Sequence, residues 1–194
     1  GLDINQPNYN GVTPIMALVS HNNPDPQILT KMINAGSDVT KYDHNNYTIL
    51  HHVFMCKTSS YSDIAMIIIK SGCISNTSVK TPIGTMFTPL TKLFGNLDIQ
   101  NIILLFNAGY DIQRDKLIQR CLKSRHVHKF EEETIYTQCV KLINHELKRV
   151  APLQRLCRTV IINSMNGIQV QMKILKLPLP NKLLNYMKLD CDPS

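Results

Sequence analysis

The stretch GSDVTKYDHNNYTILHHVFMCKTSSYSDIAMIIIKSGCIS, residues 36–75, contains one complete structural unit. Gly36-Ser37-Asp38-Val39 marks where the preceding unit closes. Thr48-Ile49-Leu50-His51 then opens an apolar segment, and a second segment, Ile64-Ala65 with Ile67-Ile68-Ile69, runs up to Ser71-Gly72. Two apolar segments at helical spacing, parted by polar residues and stopped by a glycine, predict a helix-turn-helix unit. The unit recurs on both sides. Gly1-Leu2-Asp3-Ile4 and Gly109-Tyr110-Asp111-Ile112 repeat the closing signal, and Gly72-Cys73-Ile74-Ser75 repeats it loosely, which spaces the glycines by 35, 36 and 37 residues. Thr13-Pro14-Ile15 and Thr88-Pro89-Leu90 open first helices as Thr48 does. Ile28-Leu29 with Met32-Ile33, and Ile102-Ile103-Leu104-Leu105-Phe106, form the matching second helices.

The unit has a physical logic. Thr13, Thr48 and Thr88 are placed to cap first helices, Pro14 and Pro89 occupy first-turn positions, and each closing glycine can take the left-handed conformation that ends a helix. No single unit can bury its apolar face, so the units must stack into a continuous core, with segments near 5–10, 40–47 and 75–86 projecting as fingers along one edge. These residues resemble ankyrin repeats, whose unit of about 33 residues opens on Thr-Pro-Leu-His. The resemblance covers residues 1–113 and implies an all-α solenoid of helix pairs with finger loops. It also implies that His51 bonds backbone in the turn between repeats. Met16-Ala17 and Thr91-Lys92 depart from the usual His-Leu-Ala run, and the third finger is long.

From residue 114 to 150 the repeat fades while the helix pairing persists. Leu117, Ile118, Cys121 and Leu122 predict one helix; Ile135, Cys139, Leu142, Ile143 and Leu147 predict another, with Glu131-Glu132-Glu133 as an acidic first turn. This segment is expected to be a degenerate repeat that caps the stack and carries the tail.

The tail holds two apolar signatures in fixed order. Leu153, Cys157 and Ile161, after Pro152, stand at i, i+4 and i+8 on one helical stripe. Leu177-Pro178-Leu179-Pro180 then leads into a short helix with Leu183 and Tyr186, its prolines stiffening the backbone. Neither signature offers a nucleophile, a base or a metal ligand, so both point to docking on other proteins. For either stripe alone, ordinary core packing is the alternative, and some of Leu156, Val160, Ile162 and Leu175 are expected to pack against the last repeat.

Residues 151–190 resemble a SOCS box, and the whole chain resembles the ankyrin repeat and SOCS box family. That resemblance implies elongin C binding by Leu153, Leu156, Cys157, Val160 and Ile161, with Arg158 extending the familiar Leu-Cys-Arg. It implies cullin 5 selection by Ile174, Leu177, Pro178, Leu179, Pro180, Leu183 and Tyr186, with elongin B as a further partner. Met187 stands where the family often has Leu or Ile. The implied function is a non-catalytic substrate receptor of a ubiquitin ligase, cytoplasmic or also nuclear, with no cofactor and no metal. Its target is expected at Tyr9, Asn10, Tyr42, His44, Asn45 and Tyr47. A plain ankyrin scaffold, and an ankyrin protein with an F-box-like end suggested by Leu-Pro followed by Leu183-Leu184, stay open as alternatives.

Composition narrows the remaining classes. Of the net charge of +7, residues 148–194 hold eight Lys or Arg against two Asp, leaving thirteen against twelve upstream. With no dense basic run interleaved with aromatics, nucleic acid is a poor explanation, and an acidic protein partner for the tail a better one. Cys56, Cys73, Cys121, Cys139, Cys157 and Cys191 lie too far apart in sequence for a zinc motif and read as buried thiols. His51-His52 cannot face one another on a helix, and His126 and His128 lack companion ligands. No segment has the length of an apolar membrane span. Gly1 in place of an initiator Met predicts a fragment of a longer protein whose repeat array is truncated.

Overall fold

The computed structural model describes residues 3–21, 24–55, 61–74, 78–80, 84, 86–123, 135–148, 153–165 and 169–189, with 153 and 154 described by backbone alone. Eleven α-helices are present among them: α1 (Pro14–Val19), α2 (Pro26–Asn34), α3 (Ile49–Met55), α4 (Tyr61–Lys70), α5 (Pro89–Gly95), α6 (Ile99–Ala108), α7 (Lys116–Lys123), α8 (Ile135–Lys148), α9 (Leu153–Ser164), α10 (Val170–Leu175) and α11 (Asn181–Lys188). A 3-10 turn, Ile112–Arg114, precedes α7. The only strands among the described residues, β1 (Val79–Lys80) and β2 (Met86–Phe87), form an antiparallel hairpin with Val79 opposite Phe87. The fold is mostly helical, in agreement with the all-α expectation. Pro152, His126, His128, Glu131-Glu132-Glu133, Cys56 and Cys191 lie outside the described residues.

Local chemistry starts and stops the helices where the sequence signals stand. Thr88 caps α5 in a reciprocal box, its Oγ1 accepting from the Thr91 amide at 3.2 Å while its own amide donates to Thr91 Oγ1 at 2.8 Å. Thr48 works through His51, whose Nδ1 lies 2.7 Å from the Thr48 hydroxyl and accepts from the Thr48 amide at 3.1 Å. Thr13 departs from the expectation: its hydroxyl is buried without a hydrogen-bond partner among the described residues, and α1 starts on the preset φ of Pro14. Gly36, Gly72 and Gly109 sit at φ of 106°, 99° and 108°, the left-handed region that ends a helix.

The helices pack as pairs, α1 with α2, α3 with α4 and α5 with α6, and the pairs stack. First helices α1, α3, α5 and α7 meet in succession, as do second helices α2, α4 and α6, with α8 and α9 against α6. Ile15, Leu29, Leu50, Ile64, Ile68, Leu93 and Ile102 are fully enclosed between the rows. Each such side chain contributes about 1.5–3 kcal/mol when removed from water, which no isolated pair could collect.

The tail has its own small core of Ile162, Met165, Val170, Ile174 and Met187. It docks on the ends of the second helices. Gln169 Nε2 donates to the carbonyl of Asn34 at 2.9 Å, Gln171 Nε2 to that of Lys70, and Arg158 Nη1 to that of Ala108 at 2.9 Å. Those carbonyls close α2, α4 and α6, where a helix leaves acceptors unsatisfied. One strip of chain thus serves three successive units. No helix among the described residues is long and apolar enough to cross a membrane.

Candidate functional site

Helix α9 has two chemically different faces. Arg158, Ile162 and Met165, at i, i+4 and i+7, point inward and are buried. Two residues along a helix is a rotation of about 200°, so Leu156 and Val160 flank Arg158 in sequence yet face outward. Leu156 is 51% exposed, Val160 is 69% exposed, and Cys157 beside them is exposed. Of Leu156, Val160, Ile162 and Leu175, some of which are expected to pack inward, only Ile162 is enclosed and the other three are open. Ile161 is half-buried against the tail core, so the open stripe is Leu156, Cys157 and Val160. Leu153 is the first residue of α9.

The second signature is divided between core and surface. Ile174 is fully buried in the tail core, which removes it from direct docking. Leu177 and Leu179 are half-buried against that core, and Tyr186 is half-buried. Pro178, Pro180 and Leu183 face outward. The Pro180 carbonyl accepts from the Leu183 amide at 2.9 Å and the Leu184 amide at 3.0 Å, so the proline strip turns directly into α11.

Arg158 is the residue whose role the motif concealed. It is fully buried, with Nε donating to the carbonyl of Met187 at 3.0 Å and Nη1 to that of Ala108. Burial pulls its guanidinium down to about 10, still far above neutrality, so the side chain is a buried cation. Its place at i−4 to Ile162 was the available signal. A second contact ties α9 to the last unit: Arg155 Nη1 lies 2.6 Å from Glu146 Oε2, both side chains nearly enclosed.

At the fingers, Tyr9, Asn10, Tyr42, His44 and Asn45 are exposed, and the His44 amide donates to the Asn10 carbonyl at 3.0 Å, joining the first two fingers. Tyr47 is a correction. Its ring is buried against His51 and His52, and its hydroxyl donates to the Lys80 carbonyl, so it holds one finger to the next and presents nothing outward.

His51 and His52 part company, as adjacent helical residues must. His52 Nε2 lies 3.1 Å from Asp43 Oδ2, and its Nδ1 lies 3.1 Å from Ser20 Oγ. This Ser-His-Asp chain ties α1, α3 and the second finger, and the Ser20 hydroxyl is also bonded to the Met16 carbonyl at 2.8 Å. No group of three metal-binding side chains occurs among the described residues. Burial holds the His52 imidazole below its usual 6.5, with Asp43 opposing in part. Below pH 6.5 the unfolded chain takes up a proton that the folded chain refuses, so stability falls as pH drops. Melting curves from pH 7 to 5 should show that fall, and His52→Gln should flatten it; an equal slope in the variant rules out His52 as the source.

Residues 149–188 match the SOCS box family. SOCS boxes recruit elongin B/C and a cullin, and proteins that carry them act as adaptors in ubiquitin ligase complexes. A search of curated protein sequences finds no match to this chain.

Proposed function

We propose that the chain is the substrate-recognition subunit of an elongin B/C–cullin 5 ubiquitin ligase. In this reading residues 1–113 are ankyrin repeats, 114–150 a degenerate capping repeat and 151–190 the SOCS box. The observation that carries it is the uncovered apolar stripe of Leu156, Cys157 and Val160 on a helix that lies inside the SOCS box match. Partner helices are bound by such a strip when its apolar side chains enter a groove. The repeats would hold a target at Tyr9, Asn10, Tyr42, His44 and Asn45, and the ligase would gain rate by proximity to target lysines.

The test is binding of purified chain to the elongin B/C pair. Leu153→Ala, Leu156→Asp and Val160→Asp should each weaken it, the first by about 2 kcal/mol or roughly thirtyfold. Because Leu156 and Val160 are open in the free chain, their variants should melt like the parent. Leu183→Asp should spare elongin and weaken cullin 5. A parent chain that ignores elongin B/C and binds the F-box adapter instead overturns the proposal.

A further inference from the structure

A cleft of about 280 Å³ lies between the β-hairpin and the start of α7. Its rim is cationic. Arg114, Lys116 and Arg120 line it, Lys116 and Arg120 stand one turn apart on α7, and Lys123 continues the row beyond the cleft. Lys116 and Arg120 make no ion pair among the described residues. The carboxylate in the wall, Asp115, is buried and bonded to neutral donors, and it forms no ion pair with Lys116 or Arg120. It accepts from the Thr88 hydroxyl at 2.7 Å, the Tyr110 hydroxyl at 2.6 Å and the amides of Leu117 and Ile118 at 3.0 Å. Arg114 does pair with Asp111, at 3.0 Å, but both side chains are exposed, and such a pair is worth about 0–1 kcal/mol and is easily exchanged. Met86, 47% exposed, and the half-buried Leu117 supply apolar surface between the charges.

We propose that this cleft is the target-holding site and that its occupant is an acidic peptide segment with interspersed apolar side chains. The proposal rests on the substrate-receptor reading and moves the centre of target binding from the first two fingers to the third. Charge complementarity carries it: Lys116 and Arg120, unpaired among the described residues, stand beside apolar surface and with Arg114 outnumber the single lining carboxylate, so they attract a carboxylate-rich segment and repel a basic one. The size suits a few side chains of a segment and not a whole small ligand, since it falls just below the range of ligand pockets, about 300–1,000 Å³. Position agrees as well. Arg114 also lines the groove that Leu156, Thr159 and Asn163 of α9 border, so a segment held here lies just across the Ile112–Arg114 turn from the recruitment helix.

The experiment uses the whole chain and a fluorescein-labelled twelve-residue peptide of alternating Glu and Leu, read by anisotropy, beside its Lys-Leu counterpart and a single-stranded oligodeoxynucleotide of equal charge. The Glu-Leu peptide should bind, the Lys-Leu peptide should not, and added salt should weaken the complex. Lys116→Glu with Arg120→Glu should reduce binding tenfold or more, while Lys31→Glu on exposed α2 should leave it unchanged. Elongin B/C binding, measured on the same samples, should be untouched by the double variant. Equal loss with Lys31→Glu would mean net charge alone is at work. Tighter binding of the oligonucleotide would assign the cleft to another class of partner. Either result overturns the proposal, as does no binding of the acidic peptide. Failure of the parent to bind elongin B/C would instead strike the receptor reading beneath it.

Discussion

Replacing Arg158 by alanine is expected to lower the stability of the chain by about 2–5 kcal/mol, since two buried carbonyls lose their donor at about 1–3 kcal/mol each. The residue has no carboxylate partner among the described residues, yet it is buried as a cation. Its counter-charge comes from backbone. Ala108 is the last residue of α6, and Met187 lies in the last turn of α11, so the guanidinium sits between two helix C-termini. Each such end carries about half a negative charge, so the two offset part of the cation's burial cost, although Nη2 is buried without a hydrogen-bond partner among the described residues. Alanine would leave both carbonyls without this donor and open a cavity where the guanidinium stood. Arg158→Lys keeps the charge but loses the planar fork that reaches two carbonyls at once, and should fall between alanine and the parent. Arg158→Met is the sharper control, since it fills the space without charge. Urea denaturation followed by circular dichroism suits a chain that lacks tryptophan. A methionine variant as stable as the parent would show that the helix ends contribute nothing and that volume alone matters.

The consequence reaches the proposed docking surface. Arg158 lies on the inner face of the helix whose outer face carries Leu156, Cys157 and Val160, and it holds that helix to both the last pair and α11. Loss of Arg158 should therefore weaken elongin and cullin binding together, through misplacement of α9 and α11, whereas the outward variants Val160→Asp and Leu183→Asp should separate the two.

The helix pairs were legible because their signals are local. A glycine at φ near 100° after an apolar segment, or Thr-Pro before one, acts within a few residues, and Gly36, Gly72, Gly109, Thr88 and Pro89 stand as read. The tail was legible as a pair of helical signatures but not as a surface. A stripe at i, i+4 and i+8 does not reveal which side of the helix meets the protein. That choice depended on Arg158, which reads as a solvated cation in sequence and becomes the buried centre of the joint once α6 and α11 converge on it. Tyr47 was misplaced for a similar reason. Its hydroxyl has a partner 33 residues away at Lys80, a contact that no local pattern encodes. The contacts of Gln169 and Gln171 with Asn34 and Lys70 span 135 and 101 residues, and equally lie beyond local reading.

Gly109→Ala should be strongly damaging, because two costs coincide there. The backbone is left-handed at φ 108°, which an L side chain adopts at about 1–2 kcal/mol. A Cβ built at that position would also stand 2.0 Å from Thr159 Oγ1 and 3.3 Å from Thr159 Cβ. Thr159 cannot swing clear without loss, since its hydroxyl donates to the Arg155 carbonyl at 2.9 Å and its branch point is itself close. Helix α9 must retreat, and Arg158, its next neighbour in sequence, must let go of the Ala108 carbonyl. Gly84→Ala separates the terms: its φ is 87°, but its nearest contact among the described residues is Lys80 Cε at 3.7 Å, so the backbone cost dominates. The expected losses are roughly 1 kcal/mol for Gly84→Ala and about 3 kcal/mol or more for Gly109→Ala. Thr159→Ala in the Gly109→Ala background should recover much of the difference, a coupling that appears only if the two residues touch. Equal losses at Gly84 and Gly109, or strict additivity with Thr159→Ala, would mean that α9 does not rest on the end of α6 as described.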